Sequence, residues 1–388
     1  MAKRQSKGSE RFRGKMMEMV KRGQKTLIAT SLELGISYRQ AKRVYQRYIC
    51  GGDEALVHGN KGKPSNHKVD QMLIDYALFL YKESYNDFGP TLAQEKMLER
   101  DGLDIGVSTL RRALIKAGLW KPDRNSREYR ARRNAREHFG ELVQFDGSHH
   151  DWFEGRRGRC CLITLIDDAT KTRVSQFFEE ETMFGAMIVL KMWIETYGIP
   201  ESLYCDKKNA FVLTREPTDR ELLAGITQPK SHFGRACDRL GVTVIAAHSP
   251  QAKGRVERNH GVDQDRLVKE LRLAGISTIE QANVFLLDTY LPNMNSKFSR
   301  LPKNANDAHV RLGTISLDNI LCMEYDRKVS KDYVIRFECR LFQIPPEVKL
   351  KPRPGDAVLV RVRLDSSICI IWKNNPLPVK EIKTMFDD

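Results

Sequence analysis

The sequence predicts a chain of several folded parts: two all-α helix-turn-helix units, a central α/β core built on a mixed five-stranded sheet, and a small β-barrel at the end. Three observations carry this. At 388 residues the chain is about two to three times the length of a common single domain, so two or more compact units are expected. Apolar residues recur at helical spacing before residue 120, then fall into short β-rich runs from residue 140 and again after residue 315. Polar stretches with little periodicity separate these regions, at residues 51–66 and 121–139.

Residues 1–50 read as the first helix-turn-helix unit. Leu27, Ile28, Leu32, Leu34 and Ile36 mark helical spacing, Gly35 marks the turn, and Ser37 caps the next helix, with Gln40 placed to complete a capping box. That helix, SYRQAKRVYQRY, buries Ala41, Val44 and Tyr48 and leaves Arg39, Lys42, Arg43, Gln46 and Arg47 for a DNA major groove. A helical bundle with a solvated basic face is the plainer alternative. Residues 51–66 read as a linker. A second unit spans 67–120: a helix through Met72, Leu73, Tyr76, Ala77 and Leu80, a helix after Pro90, and VSTLRRALIKAG, capped by Ser108 or Thr109, stopped at Gly118 and exposing Arg111 and Arg112.

The segment KPDRNSREYRARRNARE carries seven basic residues, among them Arg130, Arg132 and Arg133, against three acidic ones and has almost nothing to bury. It is a phosphate-tracking linker or only a soluble hinge.

From residue 140 to 295 the pattern is that of the core. The runs LVQFD, RCCLITLIDD and TRVSQFF follow one another closely, which predicts an antiparallel meander. A helix over 181–197 leads to SLYCD, and another near 230–240 leads to VTVIAA, so two strands are added in parallel. This is the sheet order of ribonuclease H-like domains. Residues 315–388 hold YVIRFECRLFQI, a PRPGD turn, AVLVRVRL with Arg361 and Arg363 on one face, and ICIIW, from which a closed barrel is expected.

Bulk composition narrows the function. Hydrophobic residues make up 41% and charged residues 30%, and no apolar run approaches the ~20 residues of a membrane span. The basic start MAKRQSKGSERFRGK has no apolar stretch behind it and does not read as a secretion signal. A soluble cytoplasmic, nucleoid-associated protein is expected. The eight cysteines are scattered, with no zinc-finger spacing, and read as reduced thiols. A net charge of +15 favours polyanionic partners.

Three acids fall where a metal site on such a sheet requires them. Asp146 follows Leu142-Val143-Gln144-Phe145, Asp206 follows Leu203-Tyr204-Cys205, and Glu257 sits early in a helix after SPQAKG. Val256, Leu267 and Leu271 give that helix an apolar stripe, Gly254 and Gly261 leave room beside Glu257, and Lys253, Arg255 and Arg258 are placed to meet phosphates. Hard divalent ions such as Mg²⁺ choose carboxylate oxygens, and three carboxylates suit a pair of ions that activates one oxygen and stabilises another in phosphoryl displacement. Taken singly, each acid has a plainer explanation as a turn, ion-pair or solvated helix residue.

The segments QFDGSHHDWFEGR, CDKKNAF and SPQAKGRVERNHG resemble the three catalytic blocks of insertion-sequence transposases in the retroviral-integrase (DDE) superfamily, the first and last especially those of the ISNCY family. The resemblance implies an integrase-type catalytic core with the triad Asp146, Asp206 and Glu257. It also implies dependence on Mg²⁺ or Mn²⁺ with two ions per site, cleavage at terminal inverted repeats, and strand transfer into target DNA by a homo-oligomer. His149 and His150 resemble the family's paired histidines; they could position DNA or a water, or serve structural hydrogen bonds, with metal ligation a third choice. Fifty residues separate Asp206 from Glu257, more than in the short-spaced integrases. The excess, residues 213–230, is open between a contact to DNA or a second subunit and a surface loop. A ribonuclease H-like nuclease without strand transfer and a DNA-binding regulator with an inactive core are the competing readings.

Overall fold

The computed structural model describes residues 10–57, 68–122, 134–205, 216–246 apart from 224 and 226, and 254–382. The chain divides into two compact units, Met1–Asp123 and Arg124–Asp388.

The first unit is all-α. Helices α1 (Glu10–Lys21), α2 (Leu27–Leu34) and α3 (Tyr38–Gly51) close on Met16, Met17, Leu34, Val44 and Leu56. Gly35 ends α2 in the left-handed region at φ 65°, which a residue with a Cβ resists, and Ser37 Oγ accepts the Gln40 amide at 3.2 Å. The turn between α2 and α3 is thus fixed at both ends. Two expectations need correcting. Ile28 and Leu32 are exposed, because the inner face of α2 is set by Thr30, Ser31 and Leu34. The linker also starts later than residue 51, since Leu56 is buried with the first helices.

Helices α4 (Gln71–Ser84), α5 (Pro90–Asp101) and α6 (Val107–Lys116) pack around Ala77, Leu80, Tyr81, Leu92, Met97, Leu110 and Leu114. Met72 and Tyr76, expected inside, are exposed. Neither Ser108 nor Thr109 caps α6: the helix begins a residue or two earlier, where the Gly106 carbonyl already accepts the Thr109 and Leu110 amides. Gly118, at φ 70°, stops it as expected.

The second unit begins with strands β1 (Val143–His150), β2 (Cys160–Asp167) and β3 (Arg173–Phe178), followed by α7 (Met183–Tyr197), β4 (Ser202–Cys205), α8 (Asp219–Leu223), α9 (His232–Leu240) and β5 (Thr243–Ala246). The five strands form one sheet in the order β3-β2-β1-β4-β5. β1, β2 and β3 are mutually antiparallel and β4 and β5 are added in parallel, as the strand spacing predicts. Alternation along β1 sends Val143 and Phe145 into a core with α7 and α9. The other face is covered by α10 (Gly254–Leu273), α11 (Ile279–Phe285) and α12 (Leu291–Phe298), where Leu267, Val268 and Leu271 pack on Trp152, Phe153, Leu162 and Phe177. The sheet is therefore the middle of three layers.

The chain ends in two open sheets, not a closed barrel. One joins β6 (Cys322–Lys328), β9 (Ala357–Arg363), β10 (Ile368–Trp372) and β11 (Asn375–Pro376); the other joins β7 (Val334–Phe337), β8 (Arg340–Gln343) and β12 (Lys380–Ile382). Alternating residues, Val358, Val360 and Ile370 from one and Ile335, Phe337 and Phe342 from the other, share one core. Closure would need an edge such as β11 to pair across, but β11 is two residues long and one is a proline without an N–H.

Arg361 and Arg363 do share a face, and it is turned inward. Arg361 and Arg239 of α9 both donate to the buried Glu324 carboxylate, at 2.8 and 2.7 Å, tying the terminal sheets to the core. Burial alone would raise the Glu324 pKa, yet the two guanidiniums outweigh it and hold it below the ordinary value. A carboxyl depressed in this way stabilises the fold above its unfolded pKa and stops doing so as pH falls through the folded one. Glu324→Gln should therefore cost ~2 kcal/mol near neutrality, less than a fully buried pair because Arg239 is partly exposed. The urea midpoints of variant and parent should converge as pH falls through the depressed Glu324 carboxyl; a gap that stays constant with pH would remove this account.

Candidate active site

Asp146 lies in the middle of β1, opposite Thr164, and not at a strand end as the sequence suggested, because pairing with β2 continues through His150. Gln144, Asp146 and Ser148 alternate onto the face covered by α10. Three contacts fix the register. The Val256 amide donates to Gln144 Oε1 at 3.3 Å, His260 Nε2 sits 3.5 Å from Asp146 Oδ2, and Gln264 Nε2 donates to Ser148 Oγ at 3.1 Å. Four helical residues rise about 6 Å and two strand residues about 6.7 Å, so helix and strand stay in step over two turns.

The start of α10 is pinned by buried polar groups. The fully buried Gln144 satisfies one of the amides a helix leaves unpaired at its N-terminus, and its Nε2 donates to Asp168 Oδ1 at 2.7 Å. Asp168, also fully buried, receives the Arg136 amide at 2.8 Å and the Arg255 guanidinium. Arg255, expected to face DNA, thus spends its charge on the end of β2. Further along, the fully enclosed Asp263 takes Arg173 Nη1 at 2.9 Å and the Tyr290 hydroxyl at 2.7 Å. Burial, and the Asp263 charge after it, push the Tyr290 pKa well up, so this hydroxyl remains a donor.

Glu257 falls in the first turn of this anchored helix, where the dipole favours an acid, and it is exposed. A Cβ added at Gly254 or Gly261 would meet no described atom within 4 Å, so the space beside Glu257 is open among the described residues. β4 ends at Cys205, and the parallel register Gln144↔Tyr204 brings that end level with Phe145. Asp206 lies outside the described residues, as do Lys253, Arg130, Arg132 and Arg133. Among the described residues no three His, Cys, Asp or Glu side chains are grouped to hold a metal ion, and the expected set has only two members there.

Asp146 keeps 21% of its side chain exposed on a rigid strand, and both ring nitrogens of buried His260 lack a hydrogen-bond partner among the described residues. At 3.5 Å its Nε2 is outside good hydrogen-bonding distance of Asp146. A buried ring without a hydrogen-bond partner among the described residues thus sits beside a half-buried carboxylate. Sequence reasoning missed His260, Gln144 and Asp168. The available signals were a polar residue inside an apolar strand, a doubled acid at a strand end, and a histidine one helical turn after Glu257.

The paired histidines part company. His149 alternates to the face opposite Asp146, 3.9 Å from the enclosed Glu181. His150 shares the face of Asp146, with its ring edge-on to Trp152 at 5.3 Å.

In the first unit, Arg39, Lys42, Arg43, Gln46 and Arg47 are all exposed on α3, opposite buried Ala41 and Val44. Arg111 and Arg112 are exposed on α6 and Arg258 on α10. Among the described residues no helix is long and apolar enough to cross a membrane.

Comparison with known proteins adds the following. Residues 12–65 match a family model described as a helix-turn-helix domain. The protein y4bF of Sinorhizobium fredii (strain NBRC 101917 / NGR234), assigned by name as a transposase, is 36% identical over 361 residues, covering 92% of this chain and 78% of that protein. The transposase for insertion sequence IS1202 of Streptococcus pneumoniae is 28% identical over 376 residues, covering 86% and 77%. Among solved structures, the HTLV-2 integrase catalytic core domain in complex with magnesium (dimeric form) is 17% identical, covers 39% of this chain and 88% of its own, and has a TM-score of 0.29.

Proposed function

This chain belongs to the insertion-sequence transposases, and from that premise we propose that it binds the terminal inverted repeats of its element, cuts the element ends and joins them to target DNA. Asp146, Asp206 and Glu257 are the acids to which we assign the chemistry. The observation that carries this reading is the docking of α10 along β1, which sets the turn bearing Glu257 beside the strand bearing Asp146.

Each residue has a distinct task. Asp146 offers a carboxylate on a strand held by neighbours on both sides, so its oxygens return to one place in every catalytic cycle. Glu257 faces the open side of α10, where the two glycines let a DNA strand approach the helix backbone. Gln144, Asp168 and Arg255 do not touch substrate in this reading; they hold the first turn of α10 at one height on the sheet. His260 lies against Asp146 on the buried side, 3.5 Å away. Two Mg²⁺ or Mn²⁺ ions held by the three acids would supply activation of the attacking oxygen and stabilisation of the leaving one.

Recognition belongs to the helical unit. The basic outer face of α3 fits a major groove, with its arginines placed for guanine edges and phosphates. We assign α6 a second contact on the same DNA through Arg111 and Arg112. Action at two element ends calls for a homo-oligomer.

The test is incubation of the chain with Mg²⁺, labelled element ends and a plasmid. Labelled strands joined to plasmid are expected. Nicked ends without joined products would move the assignment to a nuclease, and intact ends would remove it.

A further inference from the structure

Cations gather on the flank of α10 away from Glu257. The turn between β2 and β3 presents Lys171, exposed at φ 66°. Arg300, just past α12, clasps the same turn: its amide donates to the Thr170 carbonyl and its Nε to the Ala169 carbonyl, both at 2.8 Å. Arg255 reaches the turn from α10 through Asp168, and Arg258 lies one helical turn further on. At about 100° per residue, Arg255 and Glu257 stand on opposite flanks of the helix and Arg258 on its outer surface. Three elements distant in sequence therefore bring positive charge to one ledge.

That charge is not neutralised. Only Arg255 has a carboxylate partner; among the described residues none pairs with Lys171, Arg258 or Arg300. Such crowding costs free energy in the isolated protein, since like charges repel and no neighbour compensates. Lys171 registers the cost: partial burial, and then Arg300, Arg258 and Arg255, lower its pKa below the ordinary lysine value. A fold keeps such a cluster where an anion relieves it.

We propose that Lys171, Arg258 and Arg300 seat backbone phosphates of duplex DNA next to the segment being cut, with Arg255 and Asp168 fixing the ledge to α10. The proposal rests on the transposase reading and adds a contact that neither the acids nor the helix-turn-helix supplies. A duplex fits better than a small anion, because all three side chains are exposed to solvent. The ledge contacts phosphates and no base edge, so it adds affinity without sequence preference.

Salt dependence tests this. Each phosphate contact contributes about 0.9 to the slope of log affinity against log salt on duplex DNA. The full chain carrying Lys171→Gln and Arg258→Gln should show a slope reduced by roughly 1.8 on a labelled random duplex, with a melting temperature no lower than the parent's, and affinity lower by on the order of tenfold or more at moderate salt. Lys171→Gln alone should lose about half of that slope change, which keeps the test informative if the double variant folds poorly. Lys171→Arg with Arg258→Lys should restore the parent slope; failure to restore it would overturn the charge argument. An unchanged slope in the glutamine variants, while the parent still cuts element ends, would remove the ledge and leave the transposase reading standing. A parent chain that neither cuts nor binds duplex in a salt-dependent way would sink both.

Discussion

Asp146→Asn should abolish cutting of element ends, by on the order of a thousandfold or more, while changing duplex binding by less than about twofold. Asparagine has nearly the shape of aspartate, so β1 keeps its pairing and the contact surface of α10 is preserved. What is lost is the anionic oxygen, and hard divalent ions bind neutral amides far less well than carboxylates. Loss of several kcal/mol of transition-state stabilisation corresponds to about a factor of ten for each 1.4 kcal/mol. Glu257→Gln should behave alike, because Glu257 is exposed and no packing depends on its charge. Asp206→Asn completes the set. Binding is spared because the exposed basic faces of α3 and α6 are in the other compact unit and none of these substitutions changes Lys171, Arg258 or Arg300. Cleavage with Mg²⁺ at the parent rate by any of the three would falsify the assignment of that acid. A thermal shift on adding Mn²⁺, present in the parent and absent in Asp146→Asn, would report the same site independently of turnover.

How much of this was legible beforehand depended on range. The five core strands could be read because each is a short apolar run bounded by turn residues, and their order followed from the connections: tight turns give antiparallel neighbours, intervening helices parallel ones. Helix ends marked by local chemistry, such as Ser37 and Gly118, were also legible, whereas the cap at α6 was not, because Gly106 works through its carbonyl and shows no capping side chain. The terminal barrel failed for a related reason. Alternation in AVLVRVRL says which residues face inward, but it does not say whether edge strands meet, and Pro376 at one edge carries no amide to offer. The roles of Gln144, Asp168 and His260 depend on which turn of α10 lies over which residue of β1, a register between segments more than a hundred residues apart. Arg255 was misplaced on the same account: its helix position allowed an outward or an inward guanidinium, and only the buried end of β2 decides between them.

Arg173→Leu should destabilise the core by about 3–5 kcal/mol, seen as a lower urea midpoint by tryptophan fluorescence, for which Trp152 and Trp193 are fully buried reporters. Arg173 on β3 and Asp263 on α10 are both enclosed, with side chains 3% and 2% exposed, so removing the guanidinium leaves a carboxylate in a poorly polarisable interior. The Tyr290 hydroxyl and the Asn259 amide still donate to Asp263, yet neither carries charge. Replacing both partners, Arg173→Leu with Asp263→Leu, removes the uncompensated charge, and stability should recover in part, staying about 1–3 kcal/mol below the parent because the buried Tyr290 hydroxyl and the Asn259 amide lose their acceptor. A cost below about 1 kcal/mol for the single change would mean that water or a neighbour relieves Asp263, and the buried-pair argument would fail. The double variant also separates two uses of the pair. Two leucines hold α10 against β3 by packing alone, without the directional bonds that fix its height on the sheet. Since the turn bearing Glu257 keeps step with β1 through that height, recovered stability without recovered cutting would identify Arg173–Asp263 as setting where the helix sits, whereas recovery of both would limit its role to cohesion.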